Sequence, residues 1–387
     1  MLTKSPKKIS KVLVFSPFYP PHMGGLESHS YEFNQRLAKL GNSVFVLTPN
    51  IPGVSPHATR EDNLIVNRFP AFEIVANYPF PKFWHPEFVR MISDAVKFRP
   101  QVVVSRTRFF LTSLMALLYS RIFSVKWVHI EHGSDHVKVS NPLTNLFALS
   151  YDLIFGKLIF NTSSVNVAIS SSVKKFIQKF DNRDIPVIYR GINTRQIDDI
   201  RPNTDISVKN PQKLKFIYTG RLYKWKGVEN TIKAISSLPL ASRQKIQFFV
   251  VGEGEDLLAL KAISGPEIVF MGPQKWENTI SMLKACDVYI HSALPGGGLS
   301  TSLIEAAYCN LSLIATPNEG AGEIIGLCQN VYSLDSPDYR GIAKGIEHFL
   351  VQKTSHKKKK NLKIQKMFSW TSCINRYIYI INNLCAE

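Results

Sequence analysis

Residues 12–49, VLVFSPFYPPHMGGLESHSYEFNQRLAKLGNSVFVLTP, contain the pattern that decides the fold. VLVFSPF (12–18) is a short β-branched and aromatic run, which reads as a buried strand. PPHMGG (20–25) reads as a loop. In LESHSYEFNQRLAKLG (26–41), Leu26, Tyr31, Phe33, Leu37 and Leu40 recur at helical spacing, and Gly41 stops the helix. SVFVLTP (43–49) is a second strand. Strand, glycine loop, helix and strand make a βαβ unit, hence a parallel sheet covered by helices.

The alternation continues outward. Strands are expected at 101–105, 125–133 and 165–170, with helices at 109–123 and 172–180. Residues 194–213 are polar, contain prolines and show no apolar period, so they read as a linker. A second series follows: strands at 214–220, 245–254, 267–272, 287–293 and 311–316, with helices at 227–238, 277–286 and 301–309. The expected domains are 1–200 and 201–366, with a final helix over 367–387 that carries Ile374, Tyr377, Ile380 and Ile381 on one face. The basic stretch HKKKKNLKIQK (356–366) before it is expected to be solvated. Two α/β halves imply a cleft, and ligands of parallel sheets bind at the carboxyl ends of the strands.

With 387 residues the chain is too long for one ordinary core, and a net charge of +18 favours an anionic partner. Cys286, Cys309, Cys328, Cys373 and Cys385 are odd in number and form no CxxC, so a reducing cytosol is the expected setting. No apolar run is long enough for a signal peptide or a membrane span. No histidine and cysteine spacing suggests zinc, and no D-x-D pair follows a strand.

Four stretches carry candidate chemistry. Gly24 and Gly25 in HMGG either let a backbone approach a phosphate or make an ordinary turn. In YTGRLYKWKG (218–227), Arg221 and Lys226 follow a strand and can grip a diphosphate, or they form a solvated basic turn. In PGGGLSTSLIEA (295–306), the backbone at Leu299 and Ser300 opens a helix. Ser302 and Glu305 there fit a capping box, the simpler reading of the pattern alone. VHIEHGSDH (128–136) crowds three histidines and two acids at a strand end. His132 fits a substrate contact there better than a metal ligand.

Taken in order, these motifs resemble glycosyltransferase family 4, and the resemblance spans nearly the whole chain. It also rests on VAISSSVKKF, YRGIN, VVGEGEDLLAL and MLKACDVYIHSA. It implies a GT-B architecture, with two Rossmann-like domains facing across a cleft and the last helix crossing back to the first. The implied reaction is retaining, metal-independent transfer from a nucleotide sugar, with no cofactor. The resemblance gives Gly24 and Gly25 an approach to the donor and puts His132 near the transferred sugar. It assigns the diphosphate to Arg221 and Lys226, the phosphates also to the backbone at Leu299 and Ser300, and the ribose to Glu305. The family's first acid would stand eight positions before Glu305, where this chain has Gly297. A relative that binds nucleotide sugar without turning it over is therefore the alternative.

The expected acceptor is a glycan or lipid-linked molecule of polysaccharide or lipopolysaccharide synthesis. Lys82, Arg90, Lys97, Arg99, Arg106, Arg108, Arg121 and Lys126 lie among Phe80, Phe83, Trp84, Phe109 and Phe110. Such a basic, amphipathic surface suits the inner, anionic face of a membrane. Nucleic acid is not an expected partner, because charge alone would support it.

Overall fold

A computed structural model describes residues 11–22, 24–51, 53, 58–75, 78–136, 142–208, 210–294, 299–318, 320–352 and 360–386. The chain divides into two compact units: 1–189 with 371–387, and 190–370.

The first unit contains β1 (Lys11–Phe15), β2 (Ser43–Pro49), β3 (Ala58–Glu61), β4 (Leu64–Phe69), β5 (Ala71–Val75), β6 (Tyr78–Pro81), β7 (Val102–Arg106), β8 (Lys126–Glu131) and β9 (Val165–Ala168). Seven of these form one sheet in the order β3-β4-β2-β1-β7-β8-β9. All neighbours are parallel except β3 on β4. Val12, Leu13 and Val14 are fully buried, as a central strand covered on both faces requires. The strand order reverses between β1 and β7, so the loops after these two strands diverge there.

The helix Gly25–Lys39 follows β1. Phe33 and Leu37 pack inward as the spacing predicts, but Tyr31 and Leu40 are exposed. Its buried face also carries Glu27, His29, Ser30 and Asn34. Partners make this polar face tolerable: Glu27 meets His22, Ser30 meets Ser16, and His29 meets Arg106. The helix Trp370–Ala386 packs in this unit through Cys373, Ile374, Tyr377, Ile378, Ile381 and Leu384. Tyr377 meets Phe33 edge to face at 5.0 Å. Ile380, expected on the packed face, is only half-buried, and Ile378 takes that place.

The second unit contains β10 (Leu214–Thr219), β11 (Ile246–Val251), β12 (Ile268–Gly272), β13 (Val288–His291), β14 (Ser312–Ala315) and β15 (Val331–Ser333). Their order is β12-β11-β10-β13-β14-β15, and all are parallel. This order reverses between β10 and β13. Phe216, Ile232, Ile235, Phe248, Ile290 and Ile346 lie in its core.

The expected linker at 194–213 holds two short helices, Thr194–Asp199 and Thr204–Val208. Ile197 and Ile206 bury one apolar side chain in each. The Lys284 ammonium donates to the carbonyls of Ile197, Asp198 and Ile200, closing the carboxyl end of the first helix. One anchor per helix is too sparse to show as a period. Of the basic stretch 356–366, residues 356–359 lie outside the described residues.

Candidate active site

In the second unit, the chain leaves β10 at Thr219 and turns through Gly220. A Cβ at Gly252 would lie 1.9 Å from the Gly220 carbonyl, and one at Gly254 would lie 2.3 Å from that of Leu222. The loops after β10 and β11 thus touch backbone to backbone. The Leu222 N–H donates to Glu253 O at 2.8 Å and locks the contact. A 3-10 turn, Lys224–Lys226, ends at Gly227, whose φ of 73° lies in the left-handed region. A Cβ on Gly227 would come within 2.0 Å of Ser292 O. Ser292 Oγ donates to Gly227 O at 2.9 Å, and Leu294 N–H donates to Trp225 O at 2.8 Å. The turn carrying Lys226 is therefore fixed to the segment that leaves β13, at the point where the strand order reverses.

Arg221 is exposed and Lys226 half-buried. The Arg221 guanidinium lies 5.3 Å from the Tyr223 ring centre, and Lys226 Nζ lies 4.1 Å from that of Trp225. Burial and the charge of Lys226 push His291 down to about 3, so this imidazole is neutral at ordinary pH. Arg221, Lys224 and Lys226 put cations in the turn after β10, which suits an anion, while Glu253 and Glu255 follow the neighbouring β11.

The helix Thr301–Tyr308 begins at Ser300, whose Oγ accepts the Leu303 N–H. This corrects the capping box expected from Ser302 and Glu305. Only Ser302 has the glutamate three positions on, yet the helix starts two residues earlier, at Ser300, where that position is Leu303. Ser302 instead accepts a hydrogen bond from the Tyr289 hydroxyl at 2.9 Å. Glu305 points away from the cap and accepts from Trp276 Nε1 at 2.8 Å. Burial raises its carboxyl to about 7, against the opposing pull of Trp276 and Arg190. Leu299 and Ser300 are half-buried, whereas Gly297 lies outside the described residues.

In the first unit, Gly24 is the extended residue before the helix Gly25–Lys39. The Glu27 carboxylate folds over it, so a Cβ there would lie 2.3 Å from Oε2. Glu27 also meets His22 Nδ1 at 2.6 Å, and the His22 ring stacks on Phe18 at 4.4 Å. Met23, between them, lies outside the described residues. His132 follows β8 and its ring stands edge to face with His29 at 5.4 Å. Arg106 Nη1 contacts His29 Nδ1 at 2.8 Å. A guanidinium only donates, so His29 accepts through Nδ1 and carries its proton on Nε2.

Arg106 and Arg108, expected on a basic surface, are 0% and 2% exposed. Arg108 makes a two-pronged pair with Asp152, at 2.6 and 2.8 Å, and Arg106 lies over the Phe33 ring at 4.7 Å. Their partners are distant in sequence, which is why an alternating pair of arginines looked solvated. Sequence reasoning also passed over Glu27, His29, Glu131 and Asp152. The one available signal was an acid at the end of a strand otherwise buried. Among the described residues no group of histidine, cysteine and acidic side chains is arranged to hold a metal ion. Also among them, no helix is long and apolar enough to cross a membrane.

Residues 23–196 match the family model Glycosyltransferase Family 4, and residues 199–366 match Glycosyl transferases group 1. An uncharacterized glycosyltransferase of Methanocaldococcus jannaschii is 40% identical, over 97% of this chain and 98% of its own length. A subunit of the phosphatidylinositol N-acetylglucosaminyltransferase of Schizosaccharomyces pombe is 24% identical, over 96% of this chain and 80% of its own. Among solved structures, sucrose-phosphate synthase from Thermosynechococcus elongatus superposes with a TM-score of 0.79 at 16% identity, covering 97% and 99% of the two chains. An Anabaena protein in complex with UDP and glucose superposes at 0.70 and 15% identity, covering 96% and 100%. The two Rossmann-like sheets, the order of their strands and these likenesses converge: the chain is a glycosyltransferase of family 4, with the GT-B fold.

Proposed function

We propose that the chain transfers a sugar, with retention of configuration and without a metal ion, from a nucleoside diphosphate sugar to a glycan or lipid-linked acceptor. The observation that carries this reading is the cationic turn 221–227, pinned by its backbone where the strand order reverses. Arg221 would hold the diphosphate by its fork and Lys226 as a point charge, and both would stabilise the charge that develops as it leaves. The backbone at Leu299 and Ser300 would add N–H donors, and Glu305 would accept from the ribose hydroxyls. Gly24 and Gly25 would let the backbone approach the donor, and His132 would contact the transferred sugar. The acceptor oxygen would form its bond to the anomeric carbon on the face the diphosphate leaves. Its proton would pass to the departing phosphate oxygen.

The name of the Schizosaccharomyces pombe relative supports a lipid-linked acceptor. A membrane contact fits Leu118, Ile122, Phe123, Leu153, Ile154 and Leu158, which are exposed on helices flanked by Arg121 and Lys157. In this reading the enzyme works at the inner membrane face, in cell-surface polysaccharide or lipopolysaccharide synthesis. The test is a panel of nucleotide sugars with lipid-linked acceptors and excess chelator, the product's anomeric configuration being read by NMR. Turnover with the donor's configuration kept is the expected result. Absence of both binding and turnover across the panel refutes the donor class.

A further inference from the structure

We propose that Glu131 is the positioning residue for His132, holding its backbone through a carboxylate that Arg108 fixes. The proposal rests on the reading of His132 given above. Glu131 ends β8 and is fully buried. Its Oε1 accepts two consecutive N–H groups, from His132 at 2.9 Å and Gly133 at 2.7 Å. Its Oε2 accepts the Arg108 N–H at 3.1 Å and faces His129 Nε2 at 3.2 Å.

Arg108 closes the other side. Its Nη1 lies 3.3 Å from Glu131 Oε1, its fork holds Asp152, and its Nη2 donates to Asp135 O at 2.9 Å. The segment that carries His132 is thus anchored before it, at Glu131, and after it, at Asp135, by one guanidinium. Asp152 opens a π-helical turn, Asp152–Gly156, and also meets His136 Nδ1 at 2.7 Å. A Cβ at Gly133 would lie 3.1 Å from Arg108 Nη1 and 3.2 Å from Glu131 Oε1, so a glycine leaves this pair its room.

A second chain of bonds fixes the carboxylate from the sheet side. Trp127 Nε1 donates to Ser105 Oγ at 2.9 Å, and Ser105 Oγ meets His129 Nδ1 at 2.8 Å. With Nδ1 accepting from the serine, His129 presents Nε2–H to Glu131. Burial opposes the charge on Glu131, but Arg108, His129 and the backbone N–H of Gly133 hold it well below the usual carboxylate range. It remains a full acceptor at any working pH. A buried ion pair contributes little net stability compared with an apolar replacement, so orientation is the better account of this one.

The test uses the full chain and the nucleotide sugar that turns over in the panel. Glu131→Gln is expected to lower kcat about tenfold or more while donor KM stays within about twofold. In a His132→Ala background the same change should cost less than about twofold, because its effect runs through His132. An equal loss in both backgrounds, or a change in KM alone, overturns the proposal. If His132→Ala itself leaves kcat unchanged, the reading of His132 fails, and this proposal with it. If only Glu131→Gln is silent, the proposal alone fails. Should circular dichroism show Glu131→Gln unfolded, Arg108→Lys takes its place. It keeps a cation beside Glu131, breaks the fork to Asp152 and must show the same pattern.

Discussion

The hydroxyl of Tyr289 donates to Ser302 Oγ at 2.9 Å and lies 3.4 Å from the carbonyl of Thr219. One buried side chain on β13 thereby ties the first turn of the helix Thr301–Tyr308 to the end of β10. Tyr289→Phe should lower stability by about 1 kcal/mol, the net worth of one such bond. It should also raise donor KM, since the helix start loses its tether. Thermal unfolding and initial rates on the same preparation check both effects.

Arg221→Ala and Lys226→Ala should each weaken nucleoside diphosphate binding by about 10- to 100-fold, the range for a lost charge-assisted hydrogen bond. The turn is held by backbone bonds to Ser292 and Leu294, so its shape should survive both changes. Arg221→Lys should recover only part of the loss, because an ammonium lacks the planar fork. Titration calorimetry with the diphosphate measures all three. Unchanged affinity in both alanine variants would remove the assigned role.

With Glu305 in the proposed ribose-binding role, both donor binding and stability are expected to depend on pH. Its carboxyl is raised to about 7 in the fold, above its value in an unfolded chain. The folded state therefore binds the proton more tightly, and the resulting stabilisation is present at acid pH and lost as pH rises through about 7. Glu305→Gln should raise the melting temperature relative to the parent at pH 8, with the gain vanishing below about pH 5. In the parent, donor affinity should improve from pH 6 to 8 as the ribose acceptor ionises. The variant should bind weakly with no such trend.

Gly227→Ala should cost on the order of 2 kcal/mol or more. It combines an unfavourable φ with a Cβ 2.0 Å from Ser292 O. The two segments must then separate, and Lys226 moves with them. Loss of donor affinity along with stability is the expected signature. Loss of stability alone, measured by denaturant titration, would show that the turn does not set the cation's place.

The alternation of strand and helix was legible because each element has its own length and period. β1, the helix Gly25–Lys39 and β2 follow the pattern of 12–49 closely. The polar face of that helix was not legible. Glu27, His29 and Asn34 become buried residues only when His22, Arg106 and their neighbours arrive. The same holds for Arg108, whose charge is matched by Glu131 and Asp152, 23 and 44 positions along the chain. Local pattern pointed to Ser302 as the cap, whereas Ser300 takes that place and Ser302 accepts from Tyr289, 13 positions away in the chain.

The indole that donates to Glu305 has a consequence for observing this enzyme at work. The chain has five tryptophans: Trp84, Trp127, Trp225, Trp276 and Trp370. Trp127 and Trp370 are buried and Trp84 is open to solvent. Trp225 lies under Lys226, and Trp276 holds the carboxylate assigned to the ribose. A donor seated on these groups would change the field and the hydrogen bonding of both rings. On the donor site proposed above, tryptophan fluorescence should follow nucleotide arrival without a label or an acceptor.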